Sequence, residues 1–423
     1  MSKSRLRVLW FTNTPANGIE VLEGSKVTGS WLSSLDRAIR DKVELTVAFY
    51  YARFIEPFQN NGVNYYPICK KNWRLNIIKK HLVNRLVEKE ELRIYLDIIS
   101  VVQPDIIHIH GTENPFGSII HVTDLPVVVS IQGICSVIKH KYFSGIERNF
   151  ANRKRCDLWP PYNFLFNKSY TQIYRYFITP SARRETKYLR QCKHIIGRTD
   201  WDRRITRVLA PKSKYFHNDE ILRESFYEKK WGKPNNKKVI IHTTCSDAFY
   251  KGFETICYTI PILQTNGWNI EWRVAGVGTE SLLNIITKQR MSESYPKKGL
   301  ELLGGLNEED LVQKMLEADI YVMPSHIENS SNSLCEAMIL GMPCIATYAG
   351  GTSSLMKDKE EGLLIQDGDP WSMAGAIHEL LSNEIEAIEF GKRARERALI
   401  RHDKERIVSE LLAIYKIVSR QSD

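Results

Sequence analysis

The sequence lacks the features that mark several classes of protein. It has no C-x-x-C pair, and its eight cysteines are spread over 423 residues, so neither a disulfide framework nor a structural zinc site is predicted. No apolar run approaches the roughly 20 residues that a membrane-spanning helix needs. The apolar stretch near the N-terminus is too short for a secretory signal. These absences predict a cytosolic protein whose cysteines are mostly buried, reduced thiols.

The composition is that of an ordinary globular chain. Apolar residues make up 43% and charged residues 26%, which excludes extensive disorder. The length allows two or three domains. No internal repeat of solenoid length is found.

The net charge of +10 is concentrated in one segment, residues 139–190. This segment holds twelve basic and three acidic residues, so the rest of the chain is close to neutral. Aromatic residues such as Trp159 and Tyr162 are interleaved with the charges. The mixture suits an anionic membrane surface, where each cation adds about 1 kcal/mol, or a lipid-linked acceptor. A solvated helical face explains it equally well, and nucleic acid is not expected because no nucleic-acid motif accompanies it.

Short apolar runs alternate with amphipathic helical stretches, which predicts parallel α/β sheets. In the first half the strand-like runs are residues 7–11, 44–50, 105–110, 126–131 and 194–198. In the second half they are residues 239–242, 271–275, 300–303, 319–323 and 344–347. Helices are expected at residues 31–40, 75–102, 307–318 and 385–420, and from residue 200.

The alternation breaks between residues 215 and 238, a stretch with Gly232, Pro234 and two adjacent asparagines. This break predicts two similar-sized α/β domains joined by a linker. The expected bounds are 1–218 for the first domain, 219–237 for the linker, 238–384 for the second domain and 385–423 for a C-terminal helical segment.

The most informative stretch is residues 323–355. A strand ends there in a polar loop, and a helix is expected to start near Asn332 and to stop before Gly341. Glu328 then lies at the carboxyl end of a strand, and Glu336 about one turn inside the helix. Free amides at a helix start bind anions, and the carboxyl ends of parallel strands are where open sheets bind ligands. A capped surface helix with two solvated carboxylates remains the alternative.

This stretch resembles the donor-binding signature of the retaining glycosyltransferases of family 4, also called group 1, which have the GT-B fold. The match extends over residues 238–381 and is looser over residues 5–221. The residues that carry it are Glu328, Glu336-Ala337-Met338, Gly341, Pro343, Ala346, Gly350-Gly351 and Lys251-Gly252. The resemblance implies two Rossmann-like α/β domains that face a central cleft, with C-terminal helices that cross back to the first domain.

The resemblance also implies the roles of the donor-binding residues. Glu336 would hold the ribose hydroxyls, and Glu328 would hold those of the donor sugar. The amides of Asn332, Ser333 and Leu334 would hold the diphosphate, together with Lys251. Gly29 would let the backbone of the first domain approach that diphosphate.

One position departs from the family pattern. An arginine usually stands five residues before the phosphate-binding lysine, and here that position is Ser246. We expect weaker donor binding or a second cation from elsewhere, for which Arg198 is the candidate. The departure also leaves open a weakly active or inactive member of the family.

His108 and His110 are two residues apart on a strand, so their side chains share a face. No third metal ligand is visible, and buried, hydrogen-bonded histidines are the alternative. By the family likeness His110 faces the donor sugar and acceptor and joins Glu328 and Lys251 as a catalytic residue. Glu113 and Arg198 are the further candidates for acceptor binding.

The resemblance therefore implies a metal-independent, retaining glycosyltransferase with no cofactor beyond its UDP- or GDP-linked sugar donor. Its acceptor would be a glycan or lipid-linked glycan, in the assembly of a surface polysaccharide or a similar glycan. The protein would be cytoplasmic, with possible contact to the inner face of the membrane through residues 139–190. Two alternatives are a nucleotide-sugar 2-epimerase of similar fold and a catalytically silent nucleotide-sugar-binding protein.

Overall fold

The structure, a computed structural model, describes residues 5–24, 30–69, 73–147 and 170–420. The described residues form two compact units. Unit 1 consists of those within residues 1–136, 181–221 and 402–423. Unit 2 consists of those within residues 137–180 and 222–401.

The helices and strands alternate along the chain, as the sequence pattern predicts. The first part contains β1 (Arg7–Thr12), α1 (Ile19–Glu23), α2 (Trp31–Ile39), β2 (Glu44–Tyr51), β3 (Phe58–Asn60), β4 (Val63–Cys69), α3 (Trp73–Val102), β5 (Ile106–His110), β6 (Val127–Ser130) and α4 (Cys135–Lys141). The middle part contains α5 (Tyr170–Ile173), α6 (Thr179–Leu189), β7 (His194–Gly197), α7 (Asp200–Leu209), β8 (Lys214–His217) and α8 (Glu224–Glu228).

The second sheet and its helices follow. They are β9 (Val239–Thr244), α9 (Phe253–Thr265), β10 (Ile270–Ala275), α10 (Leu282–Met291), β11 (Leu300–Gly304), α11 (Glu308–Leu316), β12 (Ile320–Met323), α12 (Asn332–Leu340), β13 (Cys344–Thr347), α13 (Thr352–Leu355), β14 (Leu363–Ile365), α14 (Pro370–Ser382), α15 (Glu384–Arg401) and α16 (Lys404–Arg420).

The sheet of unit 1 has the strand order β3-β4-β2-β1-β5-β6-β7-β8 in the described part of the chain. Its pairs are parallel except β3 with β4, which is antiparallel. Val8 and Trp10 of β1 are fully buried, as expected for a parallel sheet covered on both faces. The last helix, α16, adds Leu411 and Tyr415 to the same core. The predicted return of the chain's last helix to the first domain is thus confirmed for α16.

The sheet of unit 2 has the order β11-β10-β9-β12-β13-β14, and its described pairs are parallel. α12 is buried along its whole length apart from its first two residues. α15 stays in this unit, where Ala394 and Ala398 pack with Ala337 and Leu340 of α12. The predicted C-terminal helical segment therefore divides between the two units, since α15 and α16 belong to different ones.

Three smaller expectations can be compared with the described residues. β8 and α8 lie where the sequence pattern breaks, so that stretch holds regular structure that the pattern does not indicate. Cys69 is partly exposed, and the other described cysteines are buried free thiols; Cys156 lies outside the described residues. None of the described helices is both long and apolar enough to cross a membrane.

Candidate functional site

The carboxyl edge of the second sheet holds most of the predicted donor residues. β9 and β12 are neighbours at the point where the strand order reverses, which leaves a crevice at the strand ends. Gly252 lies in the loop after β9 with a φ of +74°, and a Cβ there would lie 2.0 Å from the carbonyl oxygen of Pro324. Only glycine therefore allows the loop after β9 and the loop after β12 to touch at this point.

Lys251 and Glu328 form an ion pair between these two loops. Lys251 Nζ lies 2.6 Å from Glu328 Oε1, and the Ser325 hydroxyl donates to the same oxygen at 2.9 Å. The two side chains are only 19% and 13% exposed. Burial lowers the pKa of Lys251, but the adjacent Glu328 carboxylate outweighs it, so the pKa is raised. Lys251 is therefore a fixed cation at neutral pH.

The Gly350-Gly351 turn fixes the backbone that carries Glu328. Gly350 has a φ of +57°, and a Cβ there would lie 1.8 Å from the carbonyl oxygen of Glu328. The Gly351 amide donates to that same oxygen at 3.0 Å. The glycine pair of the signature thus serves close backbone contact in this chain.

The start of α12 is built as the sequence predicts. The helix begins at Asn332, and Gly341 after its end has a φ of +86°. Ser331 is the N-cap residue, and its hydroxyl accepts from the Leu334 amide at 3.5 Å. Of the three predicted phosphate-binding amides, that of Leu334 thus already has this long bond, and a bound phosphate would share or displace it.

Glu336 has a partner that the sequence analysis missed. Its Oε1 and Oε2 accept from Nε and Nη2 of Arg223, each at 2.7 Å. Burial raises the pKa of Glu336, and the Arg223 charge opposes that rise. Arg223 lies in the predicted linker, directly before the short helix α8. Because α8 has no periodic apolar pattern, nothing in the sequence indicated a site residue there.

A second missed group surrounds His326, two residues before Glu328. Its Nε2 lies 2.7 Å from Glu254 Oε1, and its Nδ1 lies 3.2 Å from Asp367 Oδ2. Lys141 Nζ lies 3.3 Å from the same Asp367 oxygen. Burial lowers the pKa of His326, but the two carboxylates outweigh it and the pKa is raised. The imidazolium form, with both ring nitrogens donating, satisfies both carboxylates.

Two D-x-D sequences, at residues 367–369 and 200–202, contain aspartates whose carboxylates accept hydrogen bonds within the protein. Asp367 bonds His326, and Asp369 caps α14 by accepting from the amides of Trp371 and Ser372, each at 3.0 Å. In unit 1, Asp202 accepts from the Arg198 amide at 2.9 Å and from the Tyr215 hydroxyl at 2.6 Å. Across the described residues, no group of three or more His, Cys, Asp or Glu side chains is placed to hold a metal ion.

Ser246, at the position of the family's arginine, is exposed in the loop after β9. Its carbonyl oxygen accepts from the Ala248 amide at 2.8 Å. The neighbouring Asp247 accepts from the Leu283 amide at 2.9 Å, at the start of α10. The loop is therefore held by backbone and cap bonds that do not depend on the side chain at position 246.

In unit 1, β5 carries the two histidines side by side. The rings of His108 and His110 are 3.7 Å apart. His108 Nδ1 and Nε2 each lie 2.6 Å from a hydroxyl, those of Tyr415 and Ser130. Burial, with a smaller effect of Arg198, lowers the pKa of His108 to about 3. The alternative of a structural, hydrogen-bonded histidine therefore describes His108 well.

His110 is different, because neither ring nitrogen has a hydrogen-bond partner among the described residues although the side chain is 1% exposed. Its ring packs against Trp10 at 4.8 Å and Trp31 at 5.7 Å. Burial, aided by the charges of His108 and Arg198, lowers the pKa of His110 well below its usual value. A neutral imidazole at the end of β5 can donate one hydrogen bond to a ligand and accept another.

Gly111 and Glu113 follow directly. Gly111 has a φ of +93°, and a Cβ there would lie 2.3 Å from Glu113 Oε2. Asn13, after β1, donates to that carboxylate oxygen at 3.2 Å. Burial raises the pKa of Glu113. Asn13 was not singled out from the sequence, although β1 and β5 are the neighbours at which the strand order of this sheet reverses.

Arg198 lies in unit 1 and has a partner there. Its Nη2 lies 2.8 Å from Glu220 Oε1, and its guanidinium lies 5.0 Å from the centre of the Trp31 ring. Arg198 and Glu220 are both almost fully buried. Its proposed use as a replacement phosphate cation stays a prediction.

The structure thus places the predicted residues in two groups. Lys251, Ser246, Glu328, Glu336 and the start of α12 lie in unit 2. His110, Glu113 and Arg198 lie in unit 1. Gly29 lies outside the described residues, as do residues 148–169 of the segment 139–190.

Part of the chain is similar in sequence to known proteins. Residues 224–397 match the family model "Glycosyl transferases group 1". N-acetyl-alpha-D-glucosaminyl L-malate synthase of Bacillus anthracis is 34% identical over 116 residues, which cover 27% of this chain and 30% of that protein. The UDP-Gal:alpha-D-GlcNAc-diphosphoundecaprenol alpha-1,3-galactosyltransferase of Escherichia coli is 29% identical over 109 residues, 26% of this chain and 28% of that protein. The matches thus span less than a third of the length of these curated relatives.

Solved structures match over nearly the whole chain. Sucrose-phosphate synthase from Thermosynechococcus elongatus has a TM-score of 0.72 at 14% identity, over 98% of this chain and 99% of that one. Anabaena HepE, in complex with UDP and glucose, has a TM-score of 0.63 at 12% identity, over 97% and 99%. At such identities the likeness shows the fold, and the predicted GT-B class is confirmed. The sequence match to a family model extends over residues 224–397, which are similar to the glycosyl transferases of group 1.

Proposed function

We propose that this protein is a retaining glycosyltransferase that moves a sugar from a nucleotide-sugar donor to an acceptor hydroxyl. The observation that carries the proposal is the buried Lys251–Glu328 pair at the carboxyl edge of the second sheet. It combines a fixed cation for a phosphate with a carboxylate for sugar hydroxyls. The start of α12 supplies further amides in the same unit.

The chemistry follows from where charge develops. As the glycosidic bond breaks, its electron pair passes to the diphosphate, which becomes more anionic. Lys251 and the amides of Asn332 and Ser333 bind that developing charge more strongly than the ground state, which lowers the barrier. The acceptor hydroxyl attacks the same face of the anomeric carbon and gives its proton to the leaving phosphate oxygen. The positive charge comes from the chain, so the proposed reaction uses no metal.

Unit 1 would supply the acceptor side, with the roles divided as the sequence predicts. The neutral His110 can hydrogen-bond a sugar hydroxyl, and Glu113 can accept from another. The bounds proposed for these roles are 1–218 for acceptor binding and 238–384 for donor binding. Arg198 belongs to the same group, as a neighbour of Trp31.

The biological setting is proposed from the relatives. The Escherichia coli relative is named for transfer of galactose from UDP-Gal to a sugar carried on diphosphoundecaprenol. We therefore place this protein in the assembly of a surface polysaccharide or similar glycan, with a UDP- or GDP-linked donor and a glycan or lipid-linked acceptor. Peripheral contact with the inner face of a membrane through residues 139–190 is part of the proposal.

The test is calorimetric binding of UDP, GDP and a panel of their sugars to the wild type and to Glu336→Ala. Glu317→Ala, which removes a carboxylate of the same unit that pairs with Arg273 2.8 Å away, is the matched control. We expect one nucleotide to bind, Glu336→Ala to weaken it at least tenfold, and the control to leave it unchanged. Binding of neither nucleotide to the wild type would overturn the proposal.

Product analysis separates the proposal from its alternatives. The relatives named above are a synthase and a transferase, and neither alternative is favoured by them. An epimerase would interconvert the donor sugar with no acceptor present. A silent binding protein would bind the donor and neither transfer nor hydrolyse it.

A further inference from the structure

The carboxylate of Glu336 meets a planar guanidinium in the buried part of unit 2. Both bonds to Arg223 are 2.7 Å long, one from Nε and one from Nη2, so the pair is bidentate. Glu336 is 5% exposed and Arg223 18%. Such paired, charge-assisted bonds fix orientation as well as charge.

The guanidinium is itself held in place from the other side. It lies 4.8 Å from the centre of the Phe226 ring, and Phe226 is fully buried. Ser225, between the two, donates from its amide to Glu308 Oε1 at 3.2 Å. Residues 223–226 are thereby tied to the start of α11, so Arg223 has little freedom to leave Glu336.

The geometry leaves Glu336 able to bind a ligand. An ionised carboxylate offers about four acceptor positions, two on each oxygen. The guanidinium fork uses one position on each oxygen, so one on each remains. The two remaining positions point to opposite sides of the carboxylate, so either one can accept from a single ribose hydroxyl.

We propose that Arg223 is a positioning residue for donor binding: its fork orients the buried Glu336 carboxylate so that one oxygen accepts from the 2′-hydroxyl of the nucleoside ribose. The inference rests on the proposed function, which supplies the nucleotide. It adds that recognition of ribose depends on a residue outside the glutamate signature.

An experiment can distinguish positioning of Glu336 by Arg223 from a purely structural contribution of Arg223 to the fold. If Arg223 only stabilises the fold, its loss weakens the binding of every nucleotide alike. If Arg223 positions Glu336, its loss removes the preference for ribose over 2′-deoxyribose. The measured quantity is therefore the ratio of the dissociation constants of 2′-deoxyuridine diphosphate and UDP, and of the corresponding guanosine pair. A hydrogen bond to a charged group predicts a ratio of about 10 to 100 in the wild type.

We expect Arg223→Met to bring this ratio to within about threefold of one. Arg223→Lys keeps the charge without the fork, and its ratio should lie between the two. Arg273→Met is the matched control, because Arg273 also pairs with partly exposed glutamates of unit 2, and it should keep the wild-type ratio.

The outcomes distinguish the two levels of the argument. If the wild type binds none of the four nucleotides, the proposed function fails. If it binds them without preferring ribose, or if Arg223→Met and Arg223→Lys keep the wild-type ratio, the positioning role is wrong and the proposed function stands. Circular dichroism establishes that each variant is folded, and where Arg223→Met is not, Arg223→Lys decides.

Discussion

Buried histidines lie near the carboxyl edges of both sheets, and the two units surround them differently. In unit 1, burial lowers the pKa of His108 and His110, whose neighbours are hydroxyls, indoles and each other. In unit 2, His326 is also buried, but Glu254 and Asp367 outweigh burial and its pKa is raised. Burial alone neutralises an imidazole, and two adjacent carboxylates reverse the effect.

The same contrast extends to the other site residues. The edge of unit 2 is built from ion pairs, Lys251 with Glu328 and Arg223 with Glu336. The group around His110 contains neutral rings, the Glu113 carboxylate that accepts from Asn13, and one ion pair, Arg198 with Glu220. A charged edge suits a diphosphate, and a neutral edge suits sugar hydroxyls. The predictions below test this contrast.

The largest effect is expected from Lys251→Met, which removes the cation of the charged edge. Loss of one group that stabilises the developing charge costs about 100- to 1,000-fold in kcat. The measurement is release of nucleoside diphosphate from the nucleotide sugar found to bind. Lys238→Met, which removes an exposed partner of Glu271, is the control and should stay within twofold. A Lys251→Met enzyme within fivefold of wild type would contradict this role.

Opposite responses to pH are expected in the two units. A histidine with a lowered folded pKa binds fewer protons folded than unfolded, so its contribution to stability falls as the pH drops below about 6.5. With a folded pKa of about 3, His108 destabilises unit 1 by about 2 kcal/mol between pH 6.5 and 5. The raised pKa of His326 has the opposite effect on stability. Its stabilising contribution is complete below about pH 6.5 and is lost as the pH rises through the pKa of the folded state.

Hydrogen exchange, corrected for the intrinsic rate, can follow both units in one experiment. On acidification we expect protection of β5 to fall and protection of residues 324–331 to be kept. On alkalinisation the second segment should lose protection first. The same direction of change in both segments would remove the contrast between the units.

Tyr415→Phe should destabilise the neutral edge by about 2 kcal/mol. The hydroxyl accepts from Trp10 Nε1 at 2.9 Å and lies 2.6 Å from His108 Nδ1, so its removal leaves two buried groups without a partner. Urea unfolding measures the change. Tyr348→Phe, at a tyrosine that is 64% exposed, is the control and should have no measurable effect.

His326→Gln should abolish the alkaline loss of protection in residues 324–331 and lower stability at pH 6 by about 1.5 kcal/mol, because one charge-assisted bond to a buried carboxylate is lost. Thermal unfolding between pH 6 and 9 gives both quantities. His378→Gln replaces an exposed histidine of the same unit and should keep the wild-type pH profile. Wild-type and His326→Gln profiles that coincide would show that another group sets the alkaline response.

The smallest effect is expected from Ser246→Arg, which restores the family's usual cation to the charged edge. Position 246 is exposed and its side chain does not hold the loop, so we expect the fold to be kept and the nucleotide to bind about three- to tenfold tighter. The slope of affinity against salt concentration should steepen. Ser294→Arg, in a turn of the same unit, gives the control for added charge.

Much of the fold could be predicted from local pattern. The strands at residues 344–347 and 239–242 and the start of α12 lie where the sequence places them, because buried parallel strands read as apolar runs and Gly341 and Pro343 end the helix. β3, β4 and β14 were missed. β4 alternates between buried and partly exposed residues beside the antiparallel β3, and β14 has three residues, so neither gives a strong run.

The candidate site divides in the same way. The signature marks Glu328, Glu336 and Lys251, since loop position and helix capping are local. The partners of these residues are not local: Arg223 is 113 residues from Glu336, and Glu254 is 72 residues from His326. Ionisation depends on such partners, because burial and the nearest opposite charge set the balance between neutral and charged forms.

The sequence by itself therefore determined the alternation of strands and helices, the positions of the turn glycines and the residues of the glycosyltransferase signature. Only the tertiary structure decided which charges are paired, that His326 is held between two carboxylates while His110 has none, and that the last helix packs on the first sheet. The physical reason is the sequence separation over which each kind of interaction acts. Backbone conformation and periodicity are set within a few residues, whereas burial and electrostatic pairing are set by groups that the folded chain brings together.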